Sequence, residues 1–338
     1  MTQSHRLYDG GRVDRSQPIN FTFNGRRYTG VHGDTLASAL LANGVMLVGR
    51  SFKYHRPRGI FSAGTEEPNA LVQLERGPRT IANLLATRIP LYEGLDASSV
   101  NSWPSPNFDL MAITGLFHRL LPAGFYYKTF MWPVSGWKLY EHFIRRAAGL
   151  GRSPEEPDED TYDKINAHAD VVVVGAGPAG LAAARTAALS GARVILVDEQ
   201  VELGGQLLNE RFIIDGKPAL DWVAEVEQEL MANPNVTVLK HTTAFGYYDH
   251  NFICFLQNRS DNVAYGADGR TRQRVWRVRA KRVILATGAI ERPLIYVDND
   301  RPGCMLASAL RAYVNRYGVK PGTRHVIFTN NDDAYRTA

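Results

Sequence analysis

A glycine-rich turn between an apolar segment and a helix is the feature that most restricts how this chain can fold. A run of four valines precedes the motif G-x-G-x-x-G, which is formed by Gly175, Gly177 and Gly180. Such a short apolar run is typical of a buried parallel strand. The Ala-rich segment 181–189 predicts the next helix, and residues 193–197 predict a second strand. This order predicts a Rossmann-like α/β domain of the two-dinucleotide flavoprotein type.

Each glycine of the motif has a physical role in binding a pyrophosphate. Gly175 permits a tight turn, Gly177 lets the backbone approach the phosphates, and Gly180 lets the helix pack close to the strand. The helix N-terminus supplies N–H groups and a partial positive charge. Asp198, after the second strand, would accept hydrogen bonds from the adenosine ribose and disfavour the 2′-phosphate of NADP. A glycine turn without a ligand is the alternative interpretation.

Other candidate binding residues lie in segments that return to this motif in such folds. Residues 235–239 predict a third parallel strand, residues 247–282 predict antiparallel strands, and residues 283–285 predict a strand that ends in a turn. Besides the three glycines and Asp198, the candidate cofactor-binding residues are Ala176, Pro178, Ala179, Glu199, Gln200, Gly205, Gln206, Ala244, Thr287 and Gly288. FAD and NAD share adenosine and pyrophosphate, so the motif alone does not choose between them.

Charge and cysteine content exclude several classes of protein. The net charge of +5 is small for 338 residues and does not indicate a nucleic-acid partner. We expect the basic segment 50–58 to dock on another part of the protein. We expect the arginines between 270 and 279 to lie in a loop that forms a solvated face or an intersubunit contact. Two cysteines, Cys254 and Cys304, exclude a disulfide scaffold. No signal peptide or membrane span is evident, so we expect a soluble cytoplasmic protein.

The N-terminal part predicts a small α+β unit. Apolar residues alternate with polar ones up to Phe23, which predicts a strand, and Asn24-Gly25 predicts a hairpin turn. Asp34 is expected to cap a helix over residues 35–43. An aromatic-rich arm follows, and we expect its rings to anchor to a neighbouring domain or subunit rather than form a ligand cage.

The chain resembles the α subunits of heterotetrameric sarcosine oxidases. The resemblance covers essentially the whole chain, and two of its segments are more specific than the glycine motif. The segments are GDTLASALLANGV (33–45), VGRSFKYHRPRGIFSAGTEEPNALV (48–72), LPAGFYYKTFMWP (121–133), VVVVGAGPAGLAAA (171–184) and ILATGAIERP (284–293).

This resemblance implies that the N-terminal unit has the fold of a [2Fe–2S] ferredoxin module without the cluster. Relatives with the cluster carry cysteines in a C-x4-C-x2-C spacing, and the corresponding residues here are Ser62, Glu67 and Ala70. The predicted organisation is an N-terminal arm (1–16), a ferredoxin-like domain (17–78), an aromatic-rich connecting arm (79–150), an acidic linker (151–169), a dinucleotide-binding domain (170–293) and the start of a second nucleotide-binding-like domain (294–338).

The resemblance also implies cofactors, partners and an activity. It implies NAD in this chain, FAD and FMN mainly on the β subunit, and assembly with β, γ and δ subunits. The complex would oxidise sarcosine to glycine, reduce oxygen to hydrogen peroxide and transfer the one-carbon unit to tetrahydrofolate through a C-terminal half of the α subunit. No catalytic residue or metal ligand is assigned to this chain. The alternatives are an FAD-binding subunit of an amine, proline or opine dehydrogenase, and a structural NAD-binding scaffold.

The C-terminal segment predicts a nucleotide-binding-like unit that has lost its ligand. Residues 325–328 predict a strand, and Thr329 and Asn331 then occupy the positions of motif glycines. Side chains there would obstruct a pyrophosphate. We therefore expect one dinucleotide per chain, and we expect the chain to be a fragment of a longer protein.

Overall fold

The computed structural model describes residues 3–120, 124, 132–147, 149, 151–260 and 271–338. Twelve residues of the predicted aromatic arm (121–123, 125–131, 148 and 150) lie outside the described residues, as does Arg270. The chain forms two compact units. The first comprises residues 1–158 and 292–338, and the second comprises residues 159–291.

The helices and strands are numbered in chain order. The strands are β1 (Asp14–Phe23), β2 (Arg26–His32), β3 (Gly49–Arg50), β4 (Pro57–Arg58), β5 (Leu71–Leu74), β6 (Ile81–Leu85), β7 (Asp96–Ser99), β8 (Tyr162–Val174), β9 (Val194–Val197), β10 (Ile213–Ile214), β11 (Lys217–Pro218), β12 (Val236–Leu239), β13 (Thr242–Tyr248), β14 (Phe252–Asn258) and β15 (Gln273–Leu285). The α-helices are α1 (Leu36–Ala42), α2 (Trp137–Ala147), α3 (Pro178–Leu189), α4 (Ala219–Ala232) and α5 (Ala307–Asn315).

The first unit contains a five-stranded sheet in the order β2-β1-β7-β5-β6. β1 and β2 form the predicted hairpin, in which Asn24 and Gly25 both have positive φ, at 52° and 76°. β7 lies parallel to β1, and the other pairs are antiparallel. Every residue of α1 is buried against the core of this unit, as are the inward side chains of β1. The hairpin prediction is therefore confirmed.

The cap of α1 differs from the sequence prediction. Thr35, not Asp34, is the N-cap residue: its Oγ1 accepts a hydrogen bond from the Ser38 N–H, and the Ser38 Oγ accepts one from the Thr35 N–H. Asp34 is instead buried, where its carboxylate forms an ion pair with Arg6 and accepts a hydrogen bond from the Ser38 hydroxyl at 2.7 Å. Buried carboxylates require such partners, and only the folded chain brings Arg6 to this position.

The basic segment 50–58 docks within the first unit, as predicted. Arg56 donates from Nε and Nη2 to both carboxylate oxygens of Asp300, each at 2.7 Å. Its Nη2 also donates to Asp298 at 2.6 Å, and Arg58 forms an ion pair with Asp300. Asp298 and Asp300 accept the hydrogen bonds that these guanidinium groups donate. The segment therefore has a structural role within the first unit.

The C-terminal segment of the first unit centres on α5, whose Tyr313 is completely buried in the core. The predicted strand 325–328 is not formed: these described residues have no regular structure, and Val326 and Phe328 are exposed. Asn331 caps a short 3₁₀ helix, Asp332–Arg336, by accepting a hydrogen bond from the Asp333 N–H. A strand forms only when its N–H and C=O groups have partners on a neighbouring strand, and residues 325–328 have none among the described strand pairs.

The second unit is built on a six-stranded sheet in the order β12-β9-β8-β15-β14-β13. β12, β9, β8 and β15 are parallel, and β14 and β13 continue the sheet as antiparallel strands. Helices α3 and α4 pack on the parallel part through Leu181, Ala184, Val223 and Val226. The predicted α/β Rossmann-like fold is thus confirmed, including the third parallel strand.

β8 begins earlier than the predicted boundary at Asp170. It starts at Tyr162, so the last eight residues of the predicted acidic linker are strand. Arg274 on β15 donates from Nε and Nη2 to the carboxylate of Asp163, each at 2.8 Å, and Arg272 forms an ion pair with Asp160. The predicted arginine loop is therefore wrong: Arg274, Arg277 and Arg279 lie in β15, and the acids pair with Arg272 and Arg274 within this unit.

Candidate functional site

The dinucleotide loop, residues 175–180, joins β8 to α3. Gly177 is the N-cap residue of α3, and Pro178 occupies the first turn. Among the described residues, no side chain forms a capping hydrogen bond at this N-terminus. An uncapped N-terminus offers backbone N–H groups and a partial positive charge to an anion. The geometry is therefore that of a phosphate-binding helix start.

Crowding explains two of the three motif glycines. Gly175 has φ +97°, and a Cβ there would lie 2.3 Å from the carbonyl oxygen of Ala286. A Cβ on Gly180 would lie 1.8 Å from the carbonyl oxygen of Gly175. A Cβ on Gly177 would approach the Cα of Gly205 at 4.0 Å, which is an ordinary contact. The fold thus requires glycine at 175 and 180, whereas at 177 there is space that a ligand could use.

Asp198 lies directly after β9 and is only 8% exposed. Its carboxylate accepts a hydrogen bond from the Ala176 N–H at 2.6 Å and another from the Gln200 N–H at 2.8 Å. It therefore anchors the dinucleotide loop to the end of β9. The sequence did not reveal this anchoring role, because the spacing to Gly180 indicated only a ribose contact.

A second glycine pair supports the loop from the other side. The N–H of Gly204 donates to the Ala176 carbonyl at 2.9 Å. Gly205 has φ +53°, and a Cβ there would lie 2.9 Å from the Cα of Gly177. Gln206 is exposed at the start of a 3₁₀ helix, Gly205–Leu208. The Gly204-Gly205 pair therefore supports the loop through one hydrogen bond and one close approach of backbone atoms.

The turn after β15 completes the site. The N–H of Ala286 donates to the Val174 carbonyl at 2.8 Å, so this turn lies against the start of the dinucleotide loop. Thr287 and Gly288 are exposed beside it. Ala244 lies on β13, two residues after Thr242, whose N–H donates to the Asp198 carbonyl at 2.8 Å.

Four predicted segments thus lie at the carboxyl ends of the parallel strands: residues 175–180, 198–200, 205–206 and 287–288. Of the remaining predicted residues, Pro178 and Ala179 are exposed at the start of α3, and Glu199 and Gln200 are half-buried after β9. The glycine crowding, the uncapped helix and the approach space at Gly177 fit a bound dinucleotide. They fit FAD and NAD equally, because both present a pyrophosphate.

The residues in the ferredoxin-like unit do not fit an iron–sulfur cluster. Four thiolate ligands normally hold a [2Fe–2S] cluster, and the sequence has no cysteine between residues 16 and 102. Glu67 is 4% exposed, and its carboxylate occupies the loop that would have to hold the cluster. Among the described residues, no group of three His, Cys, Asp or Glu side chains could hold a metal ion.

Two family models match the chain. Residues 16–102 match the 2Fe-2S iron-sulfur cluster binding domain family, and residues 169–317 match the pyridine nucleotide-disulphide oxidoreductase family. The first match agrees with the ferredoxin-like fold, and the second contains the dinucleotide loop. Together they support the predicted order of the two folds.

Individual relatives extend the similarity over nearly the whole chain. The chain is 56% identical over 336 residues to the α subunit of sarcosine oxidase from Rhizobium meliloti (strain 1021), which covers 99% of the chain and 34% of that protein. It is 40% identical over 328 residues to the corresponding protein of Corynebacterium sp. (strain U-96), covering 96% of the chain and 29% of that protein. The chain thus spans about a third of the length of these relatives, and the predicted resemblance is confirmed.

More distant similarities are also to oxidase or dehydrogenase proteins, by their names. One opine oxidase subunit, from Agrobacterium tumefaciens (strain Ach5), is 32% identical over 157 residues, which is 45% of this chain and 30% of that protein. The crystal structure of L-proline dehydrogenase from P. horikoshii aligns with a TM-score of 0.59 at 21% identity, covering 95% of this chain and 50% of that chain, and shows the same fold.

In the part of the chain that is described, no helix is long and apolar enough to span a bilayer.

Proposed function

We propose that this chain, a homologue of sarcosine oxidase α subunits, is the NAD-binding part of such a protein. The observation that carries the proposal is 56% identity over 99% of the chain. In this proposal the chain works in the cytoplasm within a complex that also contains β, γ and δ subunits. The complex oxidises sarcosine to glycine and passes the electrons to oxygen, which yields hydrogen peroxide.

The dinucleotide loop is the proposed binding site. Gly175, Gly177 and the N-terminus of α3 would hold the pyrophosphate, and Asp198 would accept hydrogen bonds from the ribose. The exposed turn Thr287-Gly288 and Ala244 would border the nucleotide. A bound NAD supplies a nicotinamide ring that accepts or donates a hydride. The protein's own contribution is to bind and orient it through backbone N–H groups and one carboxylate.

The oxidation of sarcosine is assigned to another polypeptide of the complex. In this proposal FAD and FMN are held mainly by the β subunit. The one-carbon unit is captured by tetrahydrofolate in the part of the α subunit that this chain does not span. No residue of this chain is proposed as the base or the hydride acceptor for sarcosine.

Two alternatives remain as competing proposals. The similarity to an opine oxidase subunit over 157 residues favours an FAD-binding subunit of an amine, proline or opine dehydrogenase. A structural scaffold, in which the NAD takes no part in the chemistry, is the non-enzymatic alternative. Both use the same dinucleotide loop, so the identity of the bound nucleotide and the effect of its loss on activity separate them.

The proposal is tested by identifying the nucleotide that co-purifies with the chain. We expect NAD in the heat extract by mass spectrometry and no flavin band in the visible absorption spectrum. The matched variant is Gly177→Ala, which should purify with less nucleotide because its methyl group fits the folded chain but occupies the space left for a ligand. Stoichiometric FAD lost in this variant would support the dehydrogenase alternative instead. A complex that still forms hydrogen peroxide from sarcosine at the wild-type rate when its Gly177→Ala chain holds no NAD would support the scaffold.

A further inference from the structure

Glu67 lies inside a ring of backbone N–H donors. Its Oε2 accepts hydrogen bonds from the N–H groups of Phe61 and Ser62, at 2.8 and 2.6 Å. Its Oε1 accepts from the N–H groups of Asn69 and Ala70, at 2.8 and 3.0 Å. The loop of residues 61–70 therefore wraps around one carboxylate, to which it presents four N–H groups.

This loop has the spacing of a cluster-binding loop but not its chemistry. Ser62, Glu67 and Ala70 stand where the C-x4-C-x2-C pattern has cysteines, and the matched family is one of 2Fe-2S cluster binding domains. Hydrogen bonds to the sulfurs of an iron–sulfur cluster help to set its reduction potential, and backbone N–H groups can donate such bonds. In this chain four such N–H groups point at the Glu67 carboxylate.

The loop is also tied to the rest of the first unit. The buried Tyr313 hydroxyl on α5 donates to the Ser62 carbonyl at 2.7 Å, and the Leu306 N–H donates to the Phe61 carbonyl at 2.9 Å. Thr87 donates from its hydroxyl to the Gly64 carbonyl at 2.7 Å. Losing the loop conformation would therefore disturb the packing of α5 and of the segment around Thr87.

We propose that the loop of residues 61–70 is an anion-binding site that Glu67 fills from within the chain in place of a metal cluster, and that a small external carboxylate binds there when the Glu67 side chain is removed. The ligand class follows from the geometry, because two oxygens each accept two N–H groups. This proposal is independent of the proposed function of the dinucleotide loop.

The charge of the Glu67 carboxylate distinguishes anion binding by the loop from simple filling of space by a side chain. A carboxylate offers about four lone-pair sites and no donor, which matches four converging N–H groups. The amide of glutamine has nearly the same shape, but its NH₂ group would face two of those donors. Burial raises the pKa of Glu67, and the four backbone N–H groups oppose that rise. Glu67→Gln therefore removes the match while keeping the volume.

The test measures thermal unfolding of the full chain with and without sodium formate. Glu67→Ala should lower the unfolding midpoint by roughly 5–10 °C, and formate should restore part of this loss relative to sodium chloride at equal ionic strength. Wild type and the control Glu66→Ala, which removes the adjacent carboxylate of the same loop, should show no specific formate effect. Glu67→Gln should also be destabilised.

The outcomes are decisive in either direction. If Glu67→Ala does not fold in chloride, its refolding yield in formate is the measurement, and recovery supports the proposal. Absence of any formate effect in Glu67→Ala, or a Glu67→Gln variant as stable as wild type, would overturn it. Iron and acid-labile sulfide should both be absent from wild type, and stoichiometric amounts of them would also overturn the proposal.

Discussion

At the residue scale, Gly177 and Gly180 belong to one motif but are required for different reasons. Gly180 packs against the Gly175 carbonyl, so the fold itself requires a residue without a side chain at position 180. Gly177 has room for a methyl group and has φ −69°, which alanine adopts readily. A glycine is therefore required at position 177 only if a ligand approaches the backbone there.

This difference predicts opposite results for two alanine variants. Gly177→Ala should change the free energy of unfolding by less than about 0.5 kcal/mol and weaken dinucleotide binding tenfold or more, that is, by about 1.4 kcal/mol. Gly180→Ala should reduce both the stability, by about 1–3 kcal/mol, and the binding. Denaturant unfolding and isothermal titration calorimetry measure the two quantities. Wild-type dinucleotide affinity in Gly177→Ala would contradict the proposed position of the pyrophosphate.

Asp198 carries a second prediction at this scale. Asp198→Ala removes the acceptor for the Ala176 and Gln200 N–H groups as well as the proposed ribose contact. We expect dinucleotide affinity to fall by about 1–3 kcal/mol, with a lower unfolding midpoint. The control Glu229→Ala removes an exposed carboxylate from α4 of the same unit and should leave the affinity unchanged. Full retention of the nucleotide after dialysis of Asp198→Ala would exclude the ribose role.

At the scale of secondary-structure elements, the start of α1 depends on the reciprocal hydrogen bonds between Thr35 and Ser38. Thr35→Ala leaves the Ser38 N–H without its acceptor and should lower the free energy of unfolding by about 1 kcal/mol. Thr65 is an exposed threonine, and Thr65→Ala should have almost no effect. Urea unfolding of both variants measures the difference. Equal stability of the two would show that Asp34 is enough to begin the helix.

At the scale of the whole molecule, acid sensitivity follows from carboxylates that gain cationic partners on folding. The hydrogen bond from Arg56 holds the pKa of Asp300 below its ordinary value of 3.8, and the one from Arg274 does the same for Asp163. Arg193 and Lys281 lower the pKa of Asp170 in the same way. In all three cases the unfolded chain binds protons more readily than the folded chain.

The sign of the effect is therefore a loss of stability in acid. The stabilisation is complete above about pH 4 and is lost as the pH falls through the lowered folded-state pKa values. Unfolding midpoints recorded between roughly pH 7 and pH 2.5 should show this decline. Asp300→Asn should make the decline shallower, because one of the proton-linked groups is then absent. An unfolding midpoint that does not change in this acid range would contradict the stabilising role of these three carboxylates.

The proposed function also predicts the activity of the isolated chain. Expressed alone, this chain should show no sarcosine-dependent formation of hydrogen peroxide, even with FAD and FMN added, because no catalytic residue is assigned to it. A peroxidase-coupled assay measures this, with the proposed complex of α, β, γ and δ subunits as the positive control. Turnover by the chain alone would refute its proposed role as a component without the oxidation site.

The amino-acid sequence by itself determined the features that depend on neighbours along the chain. The valine run and three glycines predicted the strand, turn and helix around Gly175, because each residue type restricts its own backbone. Asn24-Gly25 predicted its hairpin for the same reason. The resemblance, rather than the residues alone, placed Ser62, Glu67 and Ala70 at the cysteine positions of the C-x4-C-x2-C pattern.

Tertiary structure alone decided the features that depend on residues distant in sequence. Asp34 pairs with Arg6, and Thr35 is the N-cap residue of α1. Asp163 lies within β8, which begins at Tyr162, and pairs with Arg274. A charged or polar group is placed by whichever partner the fold brings to it, and the sequence does not state that partner. The four N–H groups around Glu67 are the clearest case, because backbone donors leave no pattern in the sequence at all.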